Sequence, residues 1–256
     1  MTLKNKTIII TGAGSGLGAE VARQFAAEGA NLVLSDINDA ALQEMTTELQ
    51  QTNTRVATLA GSVADEAVCQ NIVTSATDQF GGLDVLVNCA GIDPFSATNI
   101  VKTTEQQWDD VLAVNLRGPF LLSKYAIPIM QKAGSGSIVN VGSSYSLYPG
   151  PQEAAYSVSK AAILQLTKCT AIDFAKDNIR ANCVCPGMME GVMTDRMEEM
   201  TDDMIDARKE GAKNANPMGR AASYREVAEV ILMLADNERS GMITGIAMPV
   251  DGGETA

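Results

Sequence analysis

The chain has 256 residues, 46% of them apolar and 20% charged, with a formal net charge of −12. An acid excess of this size repels phosphate backbones and anionic headgroups, so neither nucleic acid nor a membrane is expected as a partner. Histidine is absent. That excludes Ser-His-Asp and Cys-His catalysis and histidine-ligated zinc, leaves Tyr, Lys, Asp, Glu and Cys to move protons, and gives no metal site to expect.

The opening run MTLKNKTIII is too short for the apolar core of a signal peptide, and no stretch reaches the roughly 20 apolar residues of a spanning helix. A cytoplasmic location is the expectation. The five cysteines are odd in number and sit in a chain too long to need a disulfide framework. Cys183 and Cys185, two apart on an expected strand, share one face and read as small buried apolar residues.

Strand-length apolar runs alternate with longer helical patterns. Thr7–Thr11 predicts a first strand and Leu17–Glu28 a helix closed by Gly29. Asn31–Asp36 predicts a second strand, Asp39–Gln51 a helix, Arg55–Ala60 a third strand, and Asp65–Phe80 a helix ended by Gly81-Gly82. Leu83–Asn88 is a fourth strand. A long helical region follows over Thr104–Gln131, bent or divided by Pro119 and Pro128. Ser137–Gly142 is a fifth strand, Glu153–Ala175 a long helix, and Ile179–Cys185 a sixth strand. Tyr224–Ala235 is a last helix, and Ile246–Val250 a seventh strand. Such repetition predicts a single α/β domain over 1–256, a doubly wound, about seven-stranded parallel sheet with helices on both faces. Residues 188–220 fall outside the pattern as an excursion.

Between the first strand and first helix lies Thr11-Gly12-Ala13-Gly14-Ser15-Gly16-Leu17-Gly18. Glycines there allow a tight turn and let backbone N–H groups approach a pyrophosphate at a helix N-terminus. Asp36 ends the second strand. Its carboxylate can accept from the adenosine ribose hydroxyls of NAD and would repel the extra phosphate of NADP; the residues after it (Ile37, Asn38, Asp39) are not basic. This makes the fold Rossmann-type and the expected cofactor NAD.

Tyr156 and Lys160 are four residues apart in the Ala-rich helix and share a face. An ammonium beside a phenol favours the phenolate, which yields a general acid/base without histidine. Ser143 follows the fifth strand at its carboxyl end, where ligands of parallel sheets bind; adjacent Ser144 has an equal chemical claim. Asn115, a weak helix former inside a helical pattern, reads either as a polar functional group or as a satisfied core amide.

With TGAGSGLG at 11–18, Asp36, NCAG at 88–91, Asn115, Ser143, YSVSK at 156–160, Pro186-Gly187 and VDGG at 250–253, the chain resembles the short-chain dehydrogenase/reductase family over essentially its whole length. The resemblance implies that Tyr156 exchanges a proton with the substrate oxygen and that Lys160 lowers its pKa and binds the nicotinamide ribose. It selects Ser143 over Ser144 to orient the substrate oxygen, and it has Asn115 hold a water in a proton relay. Gly12, Ser15, Gly16, Leu17 and Gly18 would take the phosphates, and Ser62 and Val63 the adenine. Asn88, Ala90 and Gly91 would lie along the cofactor, and Pro186, Gly187 and Met189 near the nicotinamide. Cys89 departs from the family's common asparagine, Ser62 from its aspartate, and Thr194 stands about three residues later than the family's cofactor threonine. Homo-oligomers, commonly tetramers, are also implied.

Met188, Met189 and Met193 are expected to form an adaptable apolar lid over the substrate, with Met200 and Met204 an ordinary buried stripe. Asp93, Glu153 and Glu190 could each bind a substrate hydroxyl or face water. The expected activity is hydride transfer between NAD(H) and a secondary alcohol/ketone pair. Two alternatives are a 3-oxoacyl-thioester reductase, which by resemblance uses NADPH and would need Arg117, Lys124 and Lys132 to cluster for an acidic carrier, and a non-catalytic NAD-binding sensor.

Overall fold

The computed structural model describes residues 3–93, 99–191, 211 and 214–256. Seven strands form one parallel sheet: β1 (Thr7–Thr11), β2 (Asn31–Asp36), β3 (Val56–Ala60), β4 (Val85–Asn88), β5 (Gly136–Val141), β6 (Ile179–Pro186) and β7 (Ala247–Val250). Their order is β3-β2-β1-β4-β5-β6-β7, and every neighbouring pair is parallel. The order reverses between β1 and β4, which opens a crevice at the carboxyl ends of those strands. The central strands read as unbroken apolar runs because helices cover both faces; β1 and β6 are buried at every residue.

The helices are α1 (Gly16–Ala27), α2 (Asp39–Gln50), α3 (Glu66–Phe80), α4 (Glu105–Leu112), α5 (Gly118–Ala133), α6 (Ala154–Phe174), α7 (Tyr224–Ala235) and α8 (Asn237–Ser240). One core packs α1, α2 and α7 onto the sheet through Phe25, Leu42 and Ile231. The opposite core packs α3 and α5 through Ile72, Leu122 and Met130. Phe25 is fully buried, a burial worth about 2 kcal/mol. The starts follow the caps written in the sequence. Asn38 and Asp65 side chains accept from Ala41 and Ala67 N–H, and Thr104–Gln107 and Ser223–Glu226 form capping boxes.

Most expected bounds agree within two residues, and two features differ. The helical region 104–131 is divided. A π-helical turn, Ala113–Arg117, separates α4 from α5. Pro119 is the second residue of α5, directly after that turn, and Pro128 lies inside the helix. The short α8, capped by Asp236, has too few residues for periodicity to reveal. Of the excursion, residues 188–191, 211 and 214–220 are described; Met193, Thr194, Met200 and Met204 lie outside the described residues. Cys183 and Cys185 do share a buried face, their Sγ atoms 3.9 Å apart.

Candidate active site

A cavity of about 910 Å³ opens along the carboxyl ends of the central strands. Gly12, Ser15, Gly16, Leu17, Gly18, Asp36, Ser62, Val63, Ala90, Gly91, Ser143, Tyr156, Lys160, Pro186, Gly187 and Met189 all line it. The β1–α1 loop is shaped by its glycines. Gly12 has φ +67°, and a methyl group there would stand 2.9 Å from Ala90 Cα. At Gly18 a methyl group would run into the Gly12 carbonyl, so glycine lets α1 start directly against the loop. Asp36 faces this loop from the end of β2. One carboxylate oxygen accepts from Gly14 N–H at 2.9 Å and the other from Asn38 N–H at 2.9 Å. Each oxygen keeps lone-pair capacity for a further donor. A loop that brings backbone N–H groups to a helix N-terminus, with a carboxylate 2.9 Å from its rim, fits a dinucleotide.

At the other end, Lys160 is 4% exposed and its Nζ donates to Val141 C=O at 2.8 Å. Burial lowers its pKa, while Cys183, Cys89 and Asp93 act in the opposite sense. Its ammonium lies 5.5 Å from the centroid of the Tyr156 ring, as the shared helical face requires. Ser143 Oγ accepts from Tyr145 N–H at 3.1 Å, and Ser146 Oγ accepts from Ser143 N–H at 3.1 Å. This reciprocal cap fixes Ser143 at the end of β5. Ser144, its rival on chemistry alone, turns toward the C-terminus, its hydroxyl donating to Glu254 Oε1 at 3.3 Å.

Two expected site residues stand behind the cavity wall. Asn115 lies in the π-helical turn, where it accepts from Ile92 N–H and donates to Ile92 C=O, each at 2.8 Å, and donates to Ser159 Oγ at 3.1 Å. Asn88 is buried in the sheet, donating to Asn140 Oδ1 at 2.7 Å, and Asn140 in turn donates to Thr167 Oγ1 at 2.8 Å. Its side chain thus knits β4 to β5 and α6 and is not part of the lining. Among the acids left open by sequence, Asp93 and Glu153 line the cavity, whereas Glu190 accepts from Tyr224 N–H at 3.1 Å, at the start of α7. Met188 also lines the cavity. Of the basic trio, Lys124 pairs with Glu66 at 3.0 Å and Arg117 donates to Ala64 C=O at 2.6 Å, both beside the start of α3, while Lys132 is exposed in the last turn of α5.

Tyr145 and Tyr148 line the cavity, as expected of the segment Ser144–Gln152, whereas sequence reasoning missed Glu254, which also lines it. No motif marks Glu254; the fold brings it back from the C-terminus. Cys89, also in the lining, has its thiol pushed up to about 12, chiefly by desolvation.

The chain matches the family model described as "Enoyl-(Acyl carrier protein) reductase" over residues 12–255. It is 40% identical to an uncharacterized oxidoreductase of Thermotoga maritima, with both chains covered in full. It is 37% identical to the 3-oxoacyl-[acyl-carrier-protein] reductase FabG of the same organism, over 99% of each chain. Among solved structures it is similar to the 3-ketoacyl-(acyl-carrier-protein) reductase from Brucella melitensis complexed with NADH, with TM-score 0.88 and 30% identity over 99% of this chain and 100% of that one. The chain therefore belongs to the short-chain dehydrogenase/reductase family. It is an oxidoreductase built to take a nicotinamide cofactor.

Proposed function

We propose that this protein moves a hydride between NAD(H) and a secondary alcohol/ketone pair, with Tyr156 as the acid/base. The observation that carries the reading is the placement of Tyr156 over a buried Lys160 in the same cavity whose far end holds Asp36. A bound nicotinamide supplies or accepts the hydride at the carbinol carbon. Tyr156 gives a proton to the substrate oxygen on reduction and takes it on oxidation, and the nearby ammonium favours the phenolate. Ser143, held by its cap, offers a hydroxyl to orient that oxygen. Asn115 holds the Ile92 backbone beside Lys160, and its place in the water relay of the family is part of the same proposal. The phosphate loop, Ser62, Val63, Ala90, Gly91, Pro186, Gly187 and Met189 would hold the dinucleotide. Asp36 supports NAD over NADP, since a 2′-phosphate would meet a carboxylate whose neighbours are not basic. Exposed Phe120 on α5 and Val158 and Ile172 on α6 support a homo-oligomer. Among the described residues no helix is long and apolar enough to cross a membrane.

A 3-oxoacyl-thioester reductase is the second reading, favoured by the FabG relative; Asp36 and the engagement of Lys124 and Arg117 weigh against it. Fluorescence titration with NADH and NADPH, then oxidation of a panel of secondary alcohols, separates them. The expected result is NADH preference with turnover that falls by about 10³-fold or more in Tyr156→Phe. NADPH preference with reduction of a 3-oxoacyl thioester would establish the second reading. Binding without any turnover would leave a sensor.

A further inference from the structure

We propose that Glu254 is a positioning residue for the acid/base: its carboxylate clasps the turn after β5 and, through the rings of Tyr148 and Tyr145, holds Tyr156 and Ser143 in one geometry. The inference rests on the proposed dehydrogenase reading, in which Tyr156 and Ser143 meet the same substrate oxygen.

The C-terminal turn does not need Glu254 for its own shape. Buried Asp251 supplies that, accepting from Gly253 N–H at 3.0 Å, from Thr255 N–H at 3.1 Å and from Thr255 Oγ1 at 2.6 Å. Glu254 instead turns its hydrogen bonds outward. Its Oε1 accepts from Ser144 Oγ at 3.3 Å and from the Tyr148 hydroxyl, residues 110 and 106 positions earlier. Its Oε2 lies against the chain leaving β6, where a methyl group on Gly187 would stand 2.5 Å from it. One side chain thus joins the segments that leave the carboxyl ends of β5, β6 and β7. The first of these carries Ser143, which caps the single turn Ser144–Ser146.

The grip reaches the acid/base through three rings. Tyr148 is 37% exposed, so packing alone does not fix its ring, and the bond to Glu254 restrains it. Tyr145 meets Tyr148 edge-on with centroids 5.6 Å apart, and Tyr156 meets Tyr145 edge-on at 6.3 Å, both inside the separation at which such rings attract. Behind Tyr145 there is no slack: a methyl group on Gly150 would stand 2.3 Å from its Cε2. Gly150 N–H in turn donates to Ser157 Oγ at 3.2 Å, next to Tyr156. The row is therefore closed by α6 at one end and by Glu254 at the other. Desolvation and the bond to Glu254 push the Tyr148 phenol up to about 12, so it stays protonated and keeps donating. Removing the carboxylate frees Ser144 and Tyr148 together. The rings can then shift against Tyr156, and a misplacement of about 1 Å can cost on the order of 100-fold in rate.

The test compares wild type, Glu254→Ala, Glu254→Gln and Tyr148→Phe, each carrying 3-fluorotyrosine, by fluorine NMR. The chain has five tyrosines, so single Tyr→Phe changes assign every resonance. Glu254→Ala should move the Tyr145, Tyr148 and Tyr156 resonances and leave Tyr125 and Tyr224 in place. Glu254→Gln keeps an acceptor oxygen and should leave Tyr156 near its wild-type position. A Tyr156 resonance unmoved in Glu254→Ala, or moved as far by Glu254→Gln, overturns the proposal. The second readout is NAD-dependent oxidation of cyclohexanol, with rates counted per NADH-binding site so that unfolded protein does not contribute. Glu254→Ala should lower kcat by about tenfold with KM for NAD within about twofold, and Glu254→Gln should restore most of it. The double change Glu254→Ala, Tyr148→Phe should lose no more than Glu254→Ala alone. Losses that multiply, or an effect confined to KM, overturn the proposal. Wild type that binds NADH yet oxidises no secondary alcohol removes the dehydrogenase reading, whereas the fluorine spectra judge the clasp without turnover.

Discussion

The Asn115 side chain grips the backbone of Ile92 at both ends, accepting from its N–H and donating to its C=O at 2.8 Å each. This is the hydrogen-bond pattern a neighbouring strand would offer, supplied by one amide from a π-helical turn. It holds Gly91–Asp93 against Lys160: a methyl group on Gly91 would stand 3.4 Å from both Asn115 Oδ1 and Lys160 Nζ.

Replacing Asn115 with Leu should therefore leave two backbone groups of Ile92 unpaired. A stability loss of about 2–3 kcal/mol is expected by chemical denaturation, with kcat at least about tenfold lower. Asn115→Asp keeps the acceptor for the N–H and should recover part of the stability. Equal stability of the Leu variant and wild type would show that the Ile92 contacts carry no weight.

Asp36 predicts the cofactor preference. The double change Asp36→Ser, Ile37→Arg removes a carboxylate and adds a cation at an exposed position (Ile37 is 76% exposed). The ratio of kcat/KM with NAD to that with NADP should fall by about 100-fold or more. Steady-state kinetics with both oxidised cofactors measures it, and an unchanged ratio would remove Asp36 from the specificity argument.

The cysteines should behave as packing, save one. Cys69 is pushed up to about 11 and Cys89 to about 12, each chiefly by desolvation. At pH 8 at most about one in a thousand of either is thiolate. Cys183 and Cys185 are fully buried, and Cys169 is exposed. Titration of the native protein with a disulfide reagent at pH 8 should show one fast thiol, absent in Cys169→Ser, and five after denaturation. A second fast thiol, absent in Cys89→Ser, would show that desolvation does not keep the half-buried, cavity-lining Cys89 protonated.

Glu226 gives a pH signature to stability. Arg220 holds its carboxyl down to about 2, against an ordinary value of 4.5, with help from Ser223. A lowered folded-state pKa stabilises above the unfolded value and loses that contribution as pH falls. Glu226→Gln retains the capping geometry but not the charge. It should lower Tm by about 1–2 °C near pH 7, because the pair is half exposed. The difference should close between about pH 4.5 and pH 2. A Tm gap that persists at pH 2 would mean the loss is steric.

Much of the architecture was legible because period and punctuation are local. Strands buried on both faces write themselves as unbroken runs such as Thr7–Thr11, and glycines such as Gly29 and Gly81, both with positive φ, mark helix ends. The glycine loop, Asp36, and the Tyr156–Lys160 spacing were legible for the same reason, since each is a short segment whose geometry its own residues impose. The π-helical turn was not. In that turn Asn115 bonds Ile92, 23 residues earlier in the chain, a contact that no local period encodes.

The sequence by itself determined the β-α alternation, the phosphate loop, the acid at the end of β2 and the loss of every histidine mechanism. Tertiary structure alone decided that Asn88 serves the sheet, that Ser144 turns away from Ser143, and that Glu254 faces the cavity. Those outcomes depend on contacts between residues as far apart as Ser144 and Glu254, 110 positions along the chain. No local period encodes such a contact, because it exists only after the sheet has closed and carried the C-terminus past β6.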